Sequence, residues 1–183
     1  MMHAYHILGF FFTSILGTLS HFFYEWSNQN TLVGLFSPVN ESTWEHMKLI
    51  FFPVLVYVFF LMLLERSRIH PNKRSQSESA SCPQKRVNSA FYNALLFGNL
   101  SGTISIPFFF YTYSGILGKH LLFLDILTFL AGLFITFYFT RNLENSKFLC
   151  THRRTVYLLT VLFAIAFFIF TFFPPKIGLF QIP

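Results

Sequence analysis

A nine-residue stretch, residues 40–48, brings together most of the side chain types that acid–base or metal chemistry requires. It reads NESTWEHMK and lies between two strongly apolar segments. Two of the seven acidic residues of the chain, Glu41 and Glu45, lie in it with an imidazole, His46, and an ammonium group, Lys48. An imidazole beside a carboxylate can transfer protons, and both groups bind divalent metal ions. The stretch is therefore the first candidate for a functional site.

Further polar side chains recur at helical spacing inside two apolar segments. Ser14, Thr18, His21 and Glu25 fall within about 60° of one another on a helix that turns 100° per residue. A second stripe begins at Asp125 and continues through Thr128, Gly132 and Thr136. An ionisable group inside a bilayer is costly unless it faces other helices or a water-filled cavity. Both stripes are therefore expected to face the interior of a helix bundle.

The composition indicates what kind of structure must position these groups. Apolar residues make up 54% of the 183 residues and charged residues only 11%, whereas soluble domains have about 25% charged residues. Five segments are long and apolar enough to cross a hydrocarbon core of about 30 Å: residues 5–24, 45–64, 90–113, 121–140 and 155–173. The predicted fold is all-α, a polytopic membrane protein with one domain over residues 1–183 and five transmembrane helices.

The basic residues predict the orientation in the membrane. Ten of the thirteen Lys and Arg residues lie between the second and third spans or between the fourth and fifth. The positive-inside rule then places the N-terminus in the cytoplasm and the C-terminus outside, across the cytoplasmic membrane. The bilayer is the expected partner, and this distribution argues against nucleic acid. Residues 65–89 are expected to form a disordered cytoplasmic loop, and Cys82 and Cys150, on the same side, are expected to stay reduced.

The short apolar segment before the second span is not a span itself. Residues 31–36 are too few to cross a membrane, so they are expected to form an interfacial or re-entrant flap.

Local patterns predict how the second span begins. Ser42 and Glu45 have the spacing of a helix capping box. Lys48 can pair with Glu45, and a cation near Glu41 and Glu45 would relieve the repulsion between two carboxylates four residues apart.

Two other segments are assigned packing roles. A face made of Gly98, Ser101, Gly102 and Ser105 is expected to let the third span approach a neighbouring helix closely. The fifth span has few polar residues and is expected to be peripheral and to face lipid.

The predicted topology gathers eight titratable residues at the outer face, where the first, second and fourth spans would enclose a polar pocket: His21, Glu25, Glu41, Glu45, His46, Lys48, His120 and Asp125. The expected ligand is a small polar molecule or a lipid headgroup. The candidate catalytic residues are Glu25, Glu41, Glu45, His46, Lys48 and Asp125. The candidate ligands of a divalent metal, such as zinc or manganese, are His21, Glu25, Glu45 and His46.

The sequence specifies no reaction and predicts no other cofactor. A transporter or channel subunit is one alternative function, although the polar stripes carry no charged residue toward the cytoplasmic side. A non-catalytic accessory protein, whose acidic helix start docks a partner, is another.

Three stretches carry a resemblance to a known family. Residues 39–48 (VNESTWEHMK), residues 17–26 (GTLSHFFYEW) and residues 174–180 (PPKIGLF) resemble the signature stretches of an uncharacterised family of small bacterial multi-pass membrane proteins. The resemblance covers essentially the whole chain and centres on a VNES-x-WEH-x-K stretch. It implies a bacterial cytoplasmic membrane and draws attention to the same outer-face residues, but it brings no activity with it.

Overall fold

The computed structural model describes residues 2–68 and 87–182, which fold into helices without a β-strand. The helices are α1 (Met2–Trp26), α2 (Thr31–Phe36), α3 (Thr43–Arg68), α4 (Val87–Leu117), α5 (Leu122–Leu143), α6 (Lys147–Thr151) and α7 (Arg153–Phe172), followed by a 3₁₀ turn (Gly178–Phe180). The predicted all-α class is confirmed for this part of the chain.

Five of these helices, α1, α3, α4, α5 and α7, are long and apolar enough to cross a membrane, as the hydropathy pattern predicts. The helices extend beyond the predicted spans at several ends. Helix α3 continues to Arg68 and α4 begins at Val87, so both ends of the expected loop 65–89 are helical. The remainder of that loop, residues 69–86, lies outside the described residues.

Helices α4 and α5 pack closely because small residues line their interface. A Cβ atom added at Gly102 would collide with the backbone carbonyl of Gly132, and one added at Gly98 would collide with that of Thr136. The helix backbones are therefore in contact, as the small-residue face of the third span predicts. On the other side of α4, the side chain amide of Asn99 donates to the carbonyl of Phe51 in α3 at 3.2 Å.

Helix α7 is mostly exposed, as expected, but one of its faces belongs to the core. Phe167 is completely buried, and its ring lies 4.8 Å from that of Trp44 and 5.1 Å from that of Phe51. The 3₁₀ turn folds back onto the same place, with the Phe180 ring 4.9 Å from Trp44. The start of α3 is therefore covered by both α7 and the C-terminal segment.

Three local features refine or correct the sequence-based expectations. Residues 31–36 form the short helix α2, which packs against α1 and α7. Helix α6 is an additional short helix that the sequence analysis did not predict. Cys150, which lies in α6, is disulfide-bonded, so the expectation of a free thiol at this position is wrong. The second cysteine of the chain, Cys82, lies outside the described residues.

Candidate functional site

A cavity of about 750 Å³ lies at the end of the bundle where α1 ends and α3 and α5 begin. We call this end of the bundle the pocket end. The cavity is lined by Thr18, His21, Phe22, Glu41, Thr43, His46, Leu49, Ile106, Phe110, His120, Leu122, Asp125, Ile126, Thr128, Phe129 and Ile182. The lining hydroxyls of Thr18 and Thr128 donate to carbonyls of their own helices. Among the lining side chains, those of His21, Glu41, His46, His120 and Asp125 are titratable.

Three of these titratable groups form a cluster on the wall made by α1 and α3. The carboxylate oxygen Oε2 of Glu41 lies 3.3 Å from Nε2 of His46 and 3.6 Å from Nε2 of His21. Each of the three residues offers one potential ligand atom, and these three atoms lie within 4.8 Å of one another. We call His21, Glu41 and His46 the imidazole–carboxylate cluster.

Local backbone structure places each member of the cluster. Gly17 lies one turn before His21, and a Cβ atom there would lie 2.5 Å from the carbonyl oxygen of Leu49. This close approach of α1 to α3 brings the two imidazole rings to within 5.4 Å of each other. Glu41 lies just before α3, where the Asn40 side chain accepts a hydrogen bond from the backbone N–H of Ser42 at 2.9 Å.

The orientation of His46 is fixed by its own helix. Its Nδ1 lies 2.9 Å from the backbone carbonyl oxygen of Ser42, which can only accept a hydrogen bond. Nδ1 must therefore carry a proton, and the other ring nitrogen, Nε2, faces the carboxylate of Glu41. This is the arrangement found in histidines that bind metal ions through Nε2.

A second polar group lies on the wall made by α4 and α5. The hydroxyl of Tyr113, near the end of α4, donates to Oδ1 of Asp125 in the first turn of α5. The other carboxylate oxygen, Oδ2, lies 3.5 Å from Nδ1 of His120. Asp125 is thus held from two sides across the turn that joins α4 and α5, and it still lines the cavity.

Lys48 and Glu45 form a separate, buried group. The Lys48 ammonium donates to Oε2 of Glu45 at 2.7 Å, to the carbonyl of Gly34 at 2.9 Å and to the hydroxyl of Thr171 at 2.6 Å. All three of its protons therefore have a partner. Oε2 of Glu45 also accepts from the backbone N–H of Val39 at 3.0 Å. These contacts tie α2, the segment after α2 and α7 to the start of α3.

The structure separates the predicted catalytic residues into three groups. Glu41, His46 and Asp125 line the cavity. Glu45 and Lys48 form the predicted pair. The pair lies in the interior of the protein and does not line the cavity. Glu25 is exposed on α1 beyond the cavity. The expectation that Glu25, Glu45 and Asp125 share one pocket is therefore not met.

Of the four predicted metal ligands, the structure brings two together. His21 and His46 lie in the imidazole–carboxylate cluster, but Glu25 and Glu45 do not. The carboxylate of the cluster comes from Glu41. On one continuous helix Glu41 and Glu45 would share a face, as their spacing predicts, but α3 begins at Thr43 and the two side chains point to different partners.

Two polar contacts are not predicted by the patterns in the sequence. The hydroxyl of Tyr113 bonds to Asp125. Thr171 accepts from Lys48, and it is one of the few polar residues in an otherwise apolar span. The scarcity of polar residues around Thr171 was the feature of the sequence that could have predicted this contact, since a lone polar side chain in a span commonly has a partner on another helix.

The fold and the site together define a class. The described part of the chain is a bundle with five membrane-length apolar helices and a cavity whose walls carry imidazoles and carboxylates, groups that can exchange protons or bind metal ions. A family described as "Family of unknown function (DUF6512)" matches residues 2–182, and the chain belongs to that family. No curated protein and no solved structure matches the chain.

Proposed function

We propose that this protein is a multi-pass membrane protein that binds a lipid-like amphiphile in the cavity at the pocket end. The observation that carries the proposal is the shape and lining of this cavity. Its volume of about 750 Å³ lies within the range of known small-molecule sites, about 300–1,000 Å³, which combine apolar walls with a few convergent polar groups.

The apolar walls suit the hydrocarbon part of such a ligand. Leu49, Ile106, Phe110 and Phe129 line the cavity from α3, α4 and α5. Burial of apolar surface against them would contribute about 25 cal/mol per Å² before the cost of ordering the ligand. The polar head would then lie near the imidazole–carboxylate cluster and Asp125.

Access from the bilayer is consistent with the position of the cavity. Phe22 of α1 and Leu122 and Ile126 of α5 line the cavity and are also exposed at the surface of the bundle. A bilayer around the five apolar helices would cover this apolar surface. A lipid could therefore enter between α1 and α5 without its chain crossing water.

The proposed setting follows from the basic residues and from the family resemblance. Ten of the thirteen Lys and Arg residues lie at the end of the bundle opposite the cavity or in the segment that connects α3 to α4. The positive-inside rule then puts the pocket end at the outer leaflet of a bacterial cytoplasmic membrane, with the N-terminus inside.

A cavity-filling substitution tests the proposal. The probes are phosphatidylglycerol and phosphatidylethanolamine with a pyrene-labelled chain, added to the protein in detergent. Binding is measured as energy transfer from tryptophan to pyrene. Thr18→Phe places a ring in the cavity and should weaken binding of at least one probe by about tenfold or more, equivalent to about 1.4 kcal/mol.

Leu19→Phe is the matched control. Leu19 is the next residue on α1, it is exposed, and it does not line the cavity, so this variant should bind like the wild type. Equal binding by the wild type and Thr18→Phe, or equal weakening by Thr18→Phe and Leu19→Phe, would contradict a ligand site in the cavity.

A further inference from the structure

We propose that His21, Glu41 and His46 bind a divalent transition-metal ion, with Zn²⁺ the best match, at the polar end of the cavity. The inference deepens the proposed function, because the ion would lie where the head of the amphiphile is placed. Metal binding by these three side chains does not require the amphiphile to be present.

The distances suit such an ion. Zn²⁺ binds His nitrogen at about 2.0–2.1 Å and carboxylate oxygen at about 2.0–2.2 Å, so two ligand atoms of a tetrahedral site lie roughly 3.4 Å apart. Oε2 of Glu41 lies 3.3 Å from Nε2 of His46 and 3.6 Å from Nε2 of His21. All three ligand atoms lie within 4.8 Å of one another, so only small side chain movements would be needed to close the set.

The protonation pattern also suits a metal. The contact between Nδ1 of His46 and the carbonyl of Ser42, at 2.9 Å, places a proton on Nδ1 and leaves Nε2 as the ring nitrogen that can bind an ion. Metal-binding histidines commonly donate their second ring N–H to a backbone carbonyl, which fixes both the tautomer and the ring plane. A ring held in this way needs little reorganisation to bind the ion.

The charge balance points to a cation. Among the described residues, the ion-pair contacts of Glu41 are with His21 and His46, which are cationic only when protonated. Lys48, the basic residue nearest in sequence to Glu41, has all three protons committed to Gly34, Glu45 and Thr171. A divalent ion would balance the Glu41 carboxylate and leave both imidazoles neutral.

The surrounding structure holds the ligands in place. His21 comes from α1, His46 from α3, and Glu41 from the segment between α2 and α3. That segment is anchored by the hydrogen bond from the Val39 N–H to Glu45. Two nitrogens and one oxygen are a donor set that zinc accepts, and three protein ligands leave a position open toward the cavity for water or an oxygen atom of a ligand head.

The test is direct zinc binding by metal-stripped protein in detergent with no added lipid, measured by competition with a fluorescent zinc indicator. The wild type should bind one Zn²⁺ per chain. His21→Ala, Glu41→Gln and His46→Ala should each weaken binding at least tenfold, the smallest effect usual even for residues that only support a metal ligand. Thermal unfolding of each variant in EDTA shows whether it still folds.

Two controls make the result specific. Glu25→Gln removes a carboxylate one turn beyond His21 that does not belong to the cluster, and it should leave zinc binding unchanged. Zinc binding is measured without lipid and amphiphile binding is measured again in EDTA, so failure of the ligand proposal and failure of the metal proposal can be told apart.

Two results would overturn the metal site. One is a wild type that binds no Zn²⁺. The other is zinc binding that does not depend on the cluster: it persists in Glu41→Gln and His46→Ala, or Glu25→Gln weakens it as much as those two variants do. Either result would mean that the cluster is not a zinc site. The Co²⁺-substituted wild type gives a positive readout, since a tetrahedral site produces intense visible absorption that Glu41→Gln should abolish.

Discussion

The ammonium nitrogen of Lys48 lies 2.7 Å from Oε2 of Glu45, and both side chains are almost completely buried. Two charges removed from water are tolerated only when they pair closely and their remaining hydrogen bonds are made. Gly34, Thr171 and Val39 supply those bonds. The pair therefore joins the start of α3 to α2 and α7, and it supports the segment that carries Glu41.

Removal of one partner of this pair should be strongly destabilising. Lys48→Met leaves the Glu45 carboxylate buried without its cation, and we expect the free energy of unfolding to fall by about 3–5 kcal/mol. Unfolding by SDS in mixed micelles measures the change. Lys176→Met is the control, because Lys176 is exposed.

The double variant Lys48→Met/Glu45→Leu should recover much of that loss, since no unpaired charge remains in the interior. If the double variant is as unstable as the sum of the two single variants, the energetic coupling between Lys48 and Glu45 is absent.

The α4–α5 interface should not tolerate a side chain at Gly102. A Cβ atom there would collide with the backbone of Gly132, so Gly102→Ala must push the helices apart and should lower the thermal unfolding temperature. Gly115→Ala is the control in the same helix, because nothing lies within 4 Å of its added Cβ. That control should be neutral or stabilising by up to about 1 kcal/mol, and an equal loss in both variants would argue against close packing at Gly102.

The hydrogen bond from Tyr113 to Asp125 should stabilise the turn between α4 and α5. Tyr113→Phe removes the donor to a carboxylate and should cost about 1–2 kcal/mol of unfolding free energy. Tyr111→Phe, two residues earlier on an exposed part of α4, should change stability by less than about 0.5 kcal/mol. Equal effects of the two substitutions would show that the bond to Asp125 contributes nothing.

The orientation in the membrane can be measured by labelling single cysteines in intact cells. Lys119→Cys lies in the turn at the pocket end and Asn145→Cys at the opposite end, both at exposed positions, in a chain whose Cys82 and Cys150 are replaced by serine. The distribution of basic residues predicts labelling at position 119 only.

The disulfide at Cys150 makes this measurement decisive, because disulfides persist in oxidising compartments and position 150 lies near position 145. Labelling at position 145 only would overturn the proposed orientation and place the pocket end in the cytoplasm.

Much of the fold could be predicted because hydropathy and residue size act locally. A segment of about 20 apolar residues forms a membrane-length helix almost regardless of its neighbours, and five such helices are found. The small face that includes Gly98 and Gly102 likewise predicted close helix packing. The pairing of Lys48 with Glu45 was also predictable, since three residues separate them on one helix.

The site depended on relationships that no local pattern contains. The direction of the Glu41 carboxylate depends on whether Glu41 belongs to α3 or to the segment before it. Within α3, the carboxylate would point toward Glu45. The hydrogen bond from the Ser42 N–H to Asn40 holds Glu41 in the segment before α3, where its carboxylate points toward His21 and His46.

The sequence by itself determined which residues are apolar, which are titratable and that four of the seven acidic residues lie near one end of the bundle. Only the tertiary structure decided that Glu41 joins His21 and His46, that Tyr113 binds Asp125, and that Glu25 stays outside the cavity. The physical reason is that helix rotation and spacing are set by side chain packing between distant segments, such as the approach of α1 to α3 at Gly17.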